Sequence, residues 1–273
     1  MEKYMSDLTR RDFVKTASAV TAAVTLPAWA ITENRSPIRI GFIGCGGRGT
    51  GAANQALQAN DSAVIWAMGD AFEDRLTSSM NTLIGEKGDR AEVPKDRQFV
   101  GFDAYQKVID SGVDMVILTT PPHFRPEHIA AAVKAKIHVF CEKPMAVDGT
   151  GVRSVIESTK LAKENDTNLV GGFCWRYNLP LRAAYKQIHD GAIGDVRSIF
   201  ATYYTSPLWT KPRQESWSDM EWQMRNWVHF GWLCGDHIVE QACHSIDKIN
   251  WAMENVAPVS ATAVGGRQMH EGD

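Results

Sequence analysis

Past its first thirty residues the sequence has nothing approaching the roughly 18–20 unbroken apolar residues that a membrane span requires. It has no surplus of basic charge either: 29 Lys and Arg stand against 32 Asp and Glu, a net charge of −3 at pH 7. That balance leaves no electrostatic footprint for nucleic acid and no polybasic patch for a lipid surface. Cysteine is sparse and odd in number, at Cys45, Cys141, Cys174, Cys234 and Cys243, with no CxxC pair and no Cys/His ligand spacing. Neither a disulfide framework nor a zinc site has support from that pattern. Most of these thiols are expected in the interior of a protein that folds under reducing conditions. What remains is ordinary for a globular protein: 273 residues, 44% hydrophobic and 22% charged, enough for one or two domains.

The N-terminus departs from this plainness. Thr9-Arg10-Arg11-Asp12-Phe13-Val14-Lys15 carries paired arginines and precedes a weakly apolar stretch rich in Ala, Thr and Val. Ala28-Trp29-Ala30 then supplies a small-x-small cleavage site. A charged start, a short apolar middle and small residues at the end define a secretory signal, and the paired arginines address it to the twin-arginine machinery. Residues 1–30 are therefore expected to be removed, leaving a periplasmic or otherwise exported protein with no stable membrane span.

After that segment comes a nucleotide fingerprint. Ile38 to Ile43 reads as a buried parallel strand, Gly44-Cys45-Gly46-Gly47-Arg48-Gly49 follows at once, and Thr50 to Gln58 reads as a helix. In a strand-to-helix turn Gly44 permits the tight bend, Gly46 lets the backbone approach a pyrophosphate, and Gly49 lets helix and strand pack closely. The helix N-terminus then offers free N–H groups and partial positive charge to the phosphates. A second strand ends at Asp70, about 20 residues beyond the last glycine, where a carboxylate accepts from the ribose hydroxyls. A carboxylate there repels a 2′-phosphate, which favours NAD over NADP.

Strands and helices go on alternating. Val113–Thr119, Ile137–Cys141 and Asn168–Phe173 read as strands, with helices over 103–109, 125–135 and 148–164 between them. This predicts a doubly wound parallel sheet of Rossmann type over residues 36–174, with ligands at its carboxyl edge. Thr120, Pro121 and His123 follow one strand end, and Glu142-Lys143-Pro144 another. All are candidate cofactor contacts, with His123 the weaker.

The order GCGGRG, strand-end Asp70, TTPPH and CEKP resembles the Gfo/Idh/MocA oxidoreductases, and Gly172-Phe173 with Arg176 and the run Gly191 to Val196 are similar to later signposts of that family. The resemblance implies a nicotinamide-dependent enzyme in which Lys143 lies by the nicotinamide and the reacting carbinol. It also implies a helix with an acid-x-x-x-His-x-x-Asp pattern, present here as Glu240, His244 and Asp247, with His244 as acid/base. The family has Asp where this protein has Glu240. By spacing, these three positions share one helix face, where flanking carboxylates would orient the imidazole and raise its pKa.

The family's substrates are commonly sugars and cyclitols. Its second domain, here 175–273, carries an open and largely antiparallel sheet that often forms the oligomer contact. Only Asp195–Tyr204 and Val259–Gly265 read as strands in that part. The second α+β domain is therefore expected to be incomplete and the sequence truncated at its C-terminus, with the full-length protein a homo-oligomer. Trp209, Trp217, Trp222, Trp227 and Trp232 crowd into a segment read as a long loop. Their rings either stack on a sugar or plug the domain. Arg176, Trp227 and His237 are the candidate substrate contacts.

Three functions stay open. The first is a dehydrogenase acting on a secondary hydroxyl, with Lys143 and His244 moving the proton. The second is a redox-neutral glycosidase that oxidises C3, eliminates the aglycone and reverses the oxidation. The third is a non-catalytic nucleotide-holding partner of a paralogue. An exported member would fold around its NAD before export and hold it tightly.

Overall fold

A computed structural model describes residues 36–266. The signal segment expected over residues 1–30 lies outside the described residues. The chain divides into units of residues 1–38 and 39–273, and the fold is that of the second.

Six strands form one sheet in the order β3-β2-β1-β4-β5-β6. They are β1 (Ile38–Ile43), β2 (Ala63–Asp70), β3 (Gln98–Val100), β4 (Met115–Leu118), β5 (His138–Cys141) and β6 (Leu169–Gly171). Each pairing whose register is resolved is parallel, such as Gly41 opposite Val116 and Ile117 opposite Phe140. Parallel strands need crossovers, and five helices supply them: α1 (Gly47–Ala59), α2 (Glu73–Lys87), α3 (Ala104–Asp110), α4 (Arg125–Lys134) and α5 (Gly149–Glu164). The apolar runs of β1, β4 and β5 are buried against Val108, Ile129, Val133 and Val155 from these helices. The strand order reverses between β1 and β4, which opens a crevice at their carboxyl ends.

Cys45, Cys141 and Cys234 are buried, Cys243 is partly covered and Cys174 is exposed, all as free thiols. Burial drives the Cys141 thiol up to about 12, so this sulfur stays protonated and inert.

Past β6 the described residues are helical or irregular. Helix α6 (Leu179–His189) starts at Asn178, whose side chain accepts from the Leu181 N–H. Helix α7 (Asp219–Arg225) starts at Ser218, whose hydroxyl accepts from the Glu221 N–H. A single helical turn, Gly231–Cys234, and a π turn, Ile238–Ala242, lead into α8 (Cys243–Ala252).

Two expectations are corrected here. Asp195–Tyr204 and Val259–Gly265 form no strands, and no antiparallel sheet follows β6 among the described residues. Their β-branched and aromatic residues suit a strand, but a strand exists only with a partner ladder, and these segments have none: Phe200 is 91% and Val264 96% exposed. The tryptophan segment is not one long loop either, because Ser218 and Glu221 stand at capping-box spacing and start a helix within it.

Candidate active site

The nucleotide end of the site is built from the β1–α1 turn. Gly44 has φ +94°, and a Cβ there would stand 2.6 Å from the Thr120 backbone nitrogen. A Cβ on Gly49 would meet the Gly44 carbonyl and the Phe42 ring, so only glycine lets α1 approach β1. A Cβ on Gly46 would meet nothing within 4 Å, and α1 has no side-chain cap. The free N–H groups at the helix start therefore face open space, which fits a pyrophosphate. Gly47 and Arg48 line the same cleft.

Asp70 closes this turn. One carboxylate oxygen accepts from the Cys45 N–H at 2.6 Å and the other from the Phe72 N–H at 2.9 Å. Burial raises its pKa, and those two N–H donors oppose the rise. Asp70 thus ties the ends of β1 and β2 together while lining the cleft.

A cavity of about 380 Å³ runs along the carboxyl edge of β1, β2 and β4. It is lined by Gly44, Gly46 to Gly49, Asp70, Thr120 and Pro121, together with Phe72, Phe102, Tyr105, Phe124 and His128. His128 stacks on Tyr105 with centroids 4.2 Å apart. Burial, followed by the charge of Arg125, depresses its pKa to about 3, so the ring is neutral and behaves as an aromatic wall. Trp209 and Trp227 line this cavity too. His123 lies just outside the lining, edge-on to Phe124 and Trp232.

The loop carrying TTPPH and the loop carrying EKP are held by one side chain that sequence reasoning did not single out. Arg125, 4% exposed, donates to the carbonyls of Thr120 at 2.8 Å, Glu142 at 3.0 Å and Pro144 at 2.6 Å. Its signal lies in the spacing: Arg125 is in line with Ile129, Ala132 and Val133 on the buried face of α4, where a guanidinium must find acceptors. Glu142 bridges to Arg48 across the cleft at 2.8 Å.

Outside the cavity lining, the Lys143 ammonium donates to the Glu240 backbone carbonyl and, at 3.0 Å, to its carboxylate. Both side chains are largely buried. Burial raises the Glu240 pKa and the Lys143 charge pulls it back. Glu240 stands in the π turn and His244 and Asp247 in α8, so the three do not share the face of one uninterrupted α-helix. Their partners diverge accordingly. Asp247 is taken by a bidentate Arg176, at 2.9 and 2.8 Å, and Glu240 by Lys143.

His244 packs beside Phe173 and against the face of Tyr203, a ring that sequence reasoning passed over, and its Nδ1 is buried with no hydrogen-bond partner. The expected rise in its pKa is reversed. Desolvation lowers it most, and the cations Lys143 and Lys248 lower it further against the weaker pull of Asp247. Asp247 still pulls the pKa up, but by less than burial and the two cations push it down. His237 lies 6.4 Å from Tyr203, ring to ring, on the same side.

A Rossmann cleft with an uncapped helix N-terminus and a strand-end carboxylate is of the dinucleotide-binding type. Residues 38–173 match the Gfo/Idh/MocA oxidoreductase family, NAD-binding Rossmann fold, and residues 7–27 match the twin-arginine translocation pathway signal sequence. The chain belongs to that family and has an N-terminal export signal of that pathway. It is 33% identical over 157 residues to myo-inositol 2-dehydrogenase of Thermotoga maritima, an overlap of 58% of this chain and 42% of that protein. It is 25% identical over 244 residues to a glycosyl hydrolase family 109 protein of Stenotrophomonas maltophilia, an overlap of 87% and 52%. The fold matches scyllo-inositol dehydrogenase of Lactobacillus casei, solved with bound NAD(H) and scyllo-inositol, at a TM-score of 0.57 and 22% identity over 79% of this chain and 56% of that one. The chain spans about half the length of the relatives it matches. No helix among the described residues is long and apolar enough to cross a membrane.

Proposed function

We propose that the protein is an NAD-dependent dehydrogenase acting on a secondary hydroxyl of a cyclitol, sugar or glycoside. The observation that carries this is the buried Lys143–Glu240 pair close to His244, next in sequence to Glu142, which bridges to Arg48 in the lining of a cleft shaped for a dinucleotide. A bound nicotinamide supplies the hydride acceptor. The protein must then remove one proton from the substrate hydroxyl, and His244, whose pKa burial lowers, is the base assigned to accept it. Lys143, fixed by Glu240, holds the same oxygen by donating to it and stabilises the charge that develops there. Phe173 and Tyr203 flank the imidazole.

Asp70, with both oxygens bound to N–H groups, presents a carboxylate rather than a cation where an NADP phosphate would lie, and so supports NAD. Residues 36–174 then serve as the nucleotide domain and 175–273 as the part that meets substrate and a second copy of the protein. A protein exported in folded form would take its NAD with it and hold it tightly.

The 87% overlap with a protein named as a glycoside hydrolase supports a second reading, a redox-neutral cycle on a glycoside. The test is to incubate purified protein with NAD and a panel of inositols, sugars and aryl glycosides, following NADH absorbance and free aglycone together. NADH accumulation that Lys143→Met abolishes supports the dehydrogenase, and aglycone release without NADH supports the cycle. Neither signal from a protein that binds NAD would sink both and leave a non-catalytic partner of a paralogue.

A further inference from the structure

We infer that the segment Trp209–Trp227 completes the nucleotide site as a strap over its adenosine half, latched to the Rossmann sheet by Arg225 and Asp74. The inference rests on the nucleotide-binding reading of the cleft.

The strap is a self-contained unit. The Asn226 side chain, 1% exposed, accepts from the Lys211 N–H at 2.7 Å and donates to the carbonyls of Lys211 and Trp222, both at 3.2 Å. That ties the limb at 209–211 to the end of α7. Trp209, Lys211, Met224 and Trp227 of this unit line the cleft. Asp70, Phe72, Phe102, Tyr105 and Phe124 share that lining. Aromatic faces on two sides with a carboxylate at ribose level form a chamber for a purine nucleoside. Lys211 and Arg75 in the same lining add positive charge for its phosphates.

One contact docks the strap on the sheet side. Arg225 forms a two-pronged pair with Asp74 in the first turn of α2, both bonds 3.0 Å, and a further bond to Glu221 at 2.8 Å. Its guanidinium lies between the rings of Phe72 at 4.1 Å and Trp217 at 4.9 Å. Arg225 is 11% exposed and Asp74 60%, so the latch can be opened from its solvent side without disturbing the core. The tryptophans thereby acquire a role in keeping the cofactor rather than in recognising a sugar.

The test measures release. Purified full-length protein is saturated with NAD or with ADP, chased with excess competitor, and followed by tryptophan fluorescence for wild type, Asp74→Ala and Trp209→Leu. Circular dichroism checks that each variant is folded. Asp74→Ala leaves Arg225 in its ring sandwich, which keeps the experiment decisive where an Arg225 variant would disturb packing. We expect release of NAD and of ADP to speed up by the same factor, about tenfold, in both variants. Wild-type release should also accelerate with ionic strength, because the latch is exposed on one side. Folded variants releasing both ligands within twofold of wild type would overturn the strap and leave the nucleotide site standing. Faster release of NAD with unchanged release of ADP would overturn it too, because the effect would then lie outside the adenosine half. A wild-type protein that binds neither ligand would remove the nucleotide reading and the strap together.

Discussion

Replacing Arg125 by methionine tests whether one buried guanidinium holds the site together. Methionine keeps much of the stem volume, so the change isolates the polar contacts from packing. Three charge-assisted bonds to the Thr120, Glu142 and Pro144 carbonyls are lost. At about 1.5–2 kcal/mol each this amounts to about 4.5–6 kcal/mol. Burial of the guanidinium is itself unfavourable, as the lowered Arg125 pKa records, and its removal offsets about 2 kcal/mol of that loss. The net destabilisation is then about 2–4 kcal/mol, and at roughly 2–4 °C per kcal/mol for a protein of this size the melting temperature should fall by about 4–16 °C. The assay is thermal unfolding by circular dichroism, with NAD affinity measured by calorimetry well below the transition. Arg125→Lys should fall between wild type and Arg125→Met, because an ammonium cannot reach three carbonyls set around a planar fork. A melting temperature within about 2 °C of wild type, with unchanged NAD affinity, would refute the idea that this arginine anchors both loops.

Other outcomes follow from the same geometry. Lys143→Met should lower turnover by about 10²–10⁴-fold while NAD still binds, and a parallel loss of NAD binding would point to a structural role. His244 has a pKa depressed below 6.5. Its neutral form therefore persists as pH falls through neutrality, and the acid limb of the kcat/KM profile for oxidation should lie below pH 6.5 and vanish in His244→Ala. A limb above that pH would contradict the desolvation argument. Asp74 has a folded pKa lowered by Arg225. Its contribution to stability is thus complete above the unfolded value of 3.8 and is lost as pH falls through the lower folded value, a dependence that Asp74→Ala should abolish in acid unfolding. Asp70→Ala should weaken NAD binding by about 1–3 kcal/mol, because it removes a ribose acceptor and frees the Cys45 and Phe72 N–H groups at once; unchanged affinity would remove Asp70 from the site.

The sheet and the phosphate turn were legible in the sequence because both are local. Alternating apolar runs and helical segments dictate parallel strands with crossovers, and Gly44 and Gly49 announce backbone positions that leave no room for a Cβ. Strand-end Asp70 and the Glu142-Lys143-Pro144 loop could be placed by counting alone. The reading failed where a property depends on partners far apart in sequence. Burial and the cations Lys143 and Lys248 lower the His244 pKa, while Asp247 and Glu240 pair with Arg176 and Lys143, 71 and 97 residues away, so spacing along one helix pointed that pKa the wrong way. The π turn at Ile238–Ala242 shifts Glu240 off the expected face, and no periodicity in the sequence marks it. The tryptophan segment read as a loop because its five-residue spacing hides a capped helix, and only packing shows Arg225 reaching Asp74. Residue type and spacing by themselves determined the family's glycine turn and its strand ends. Tertiary structure alone decided which charges neutralise one another and what closes the cleft, because ion pairing and desolvation are set by distance in space.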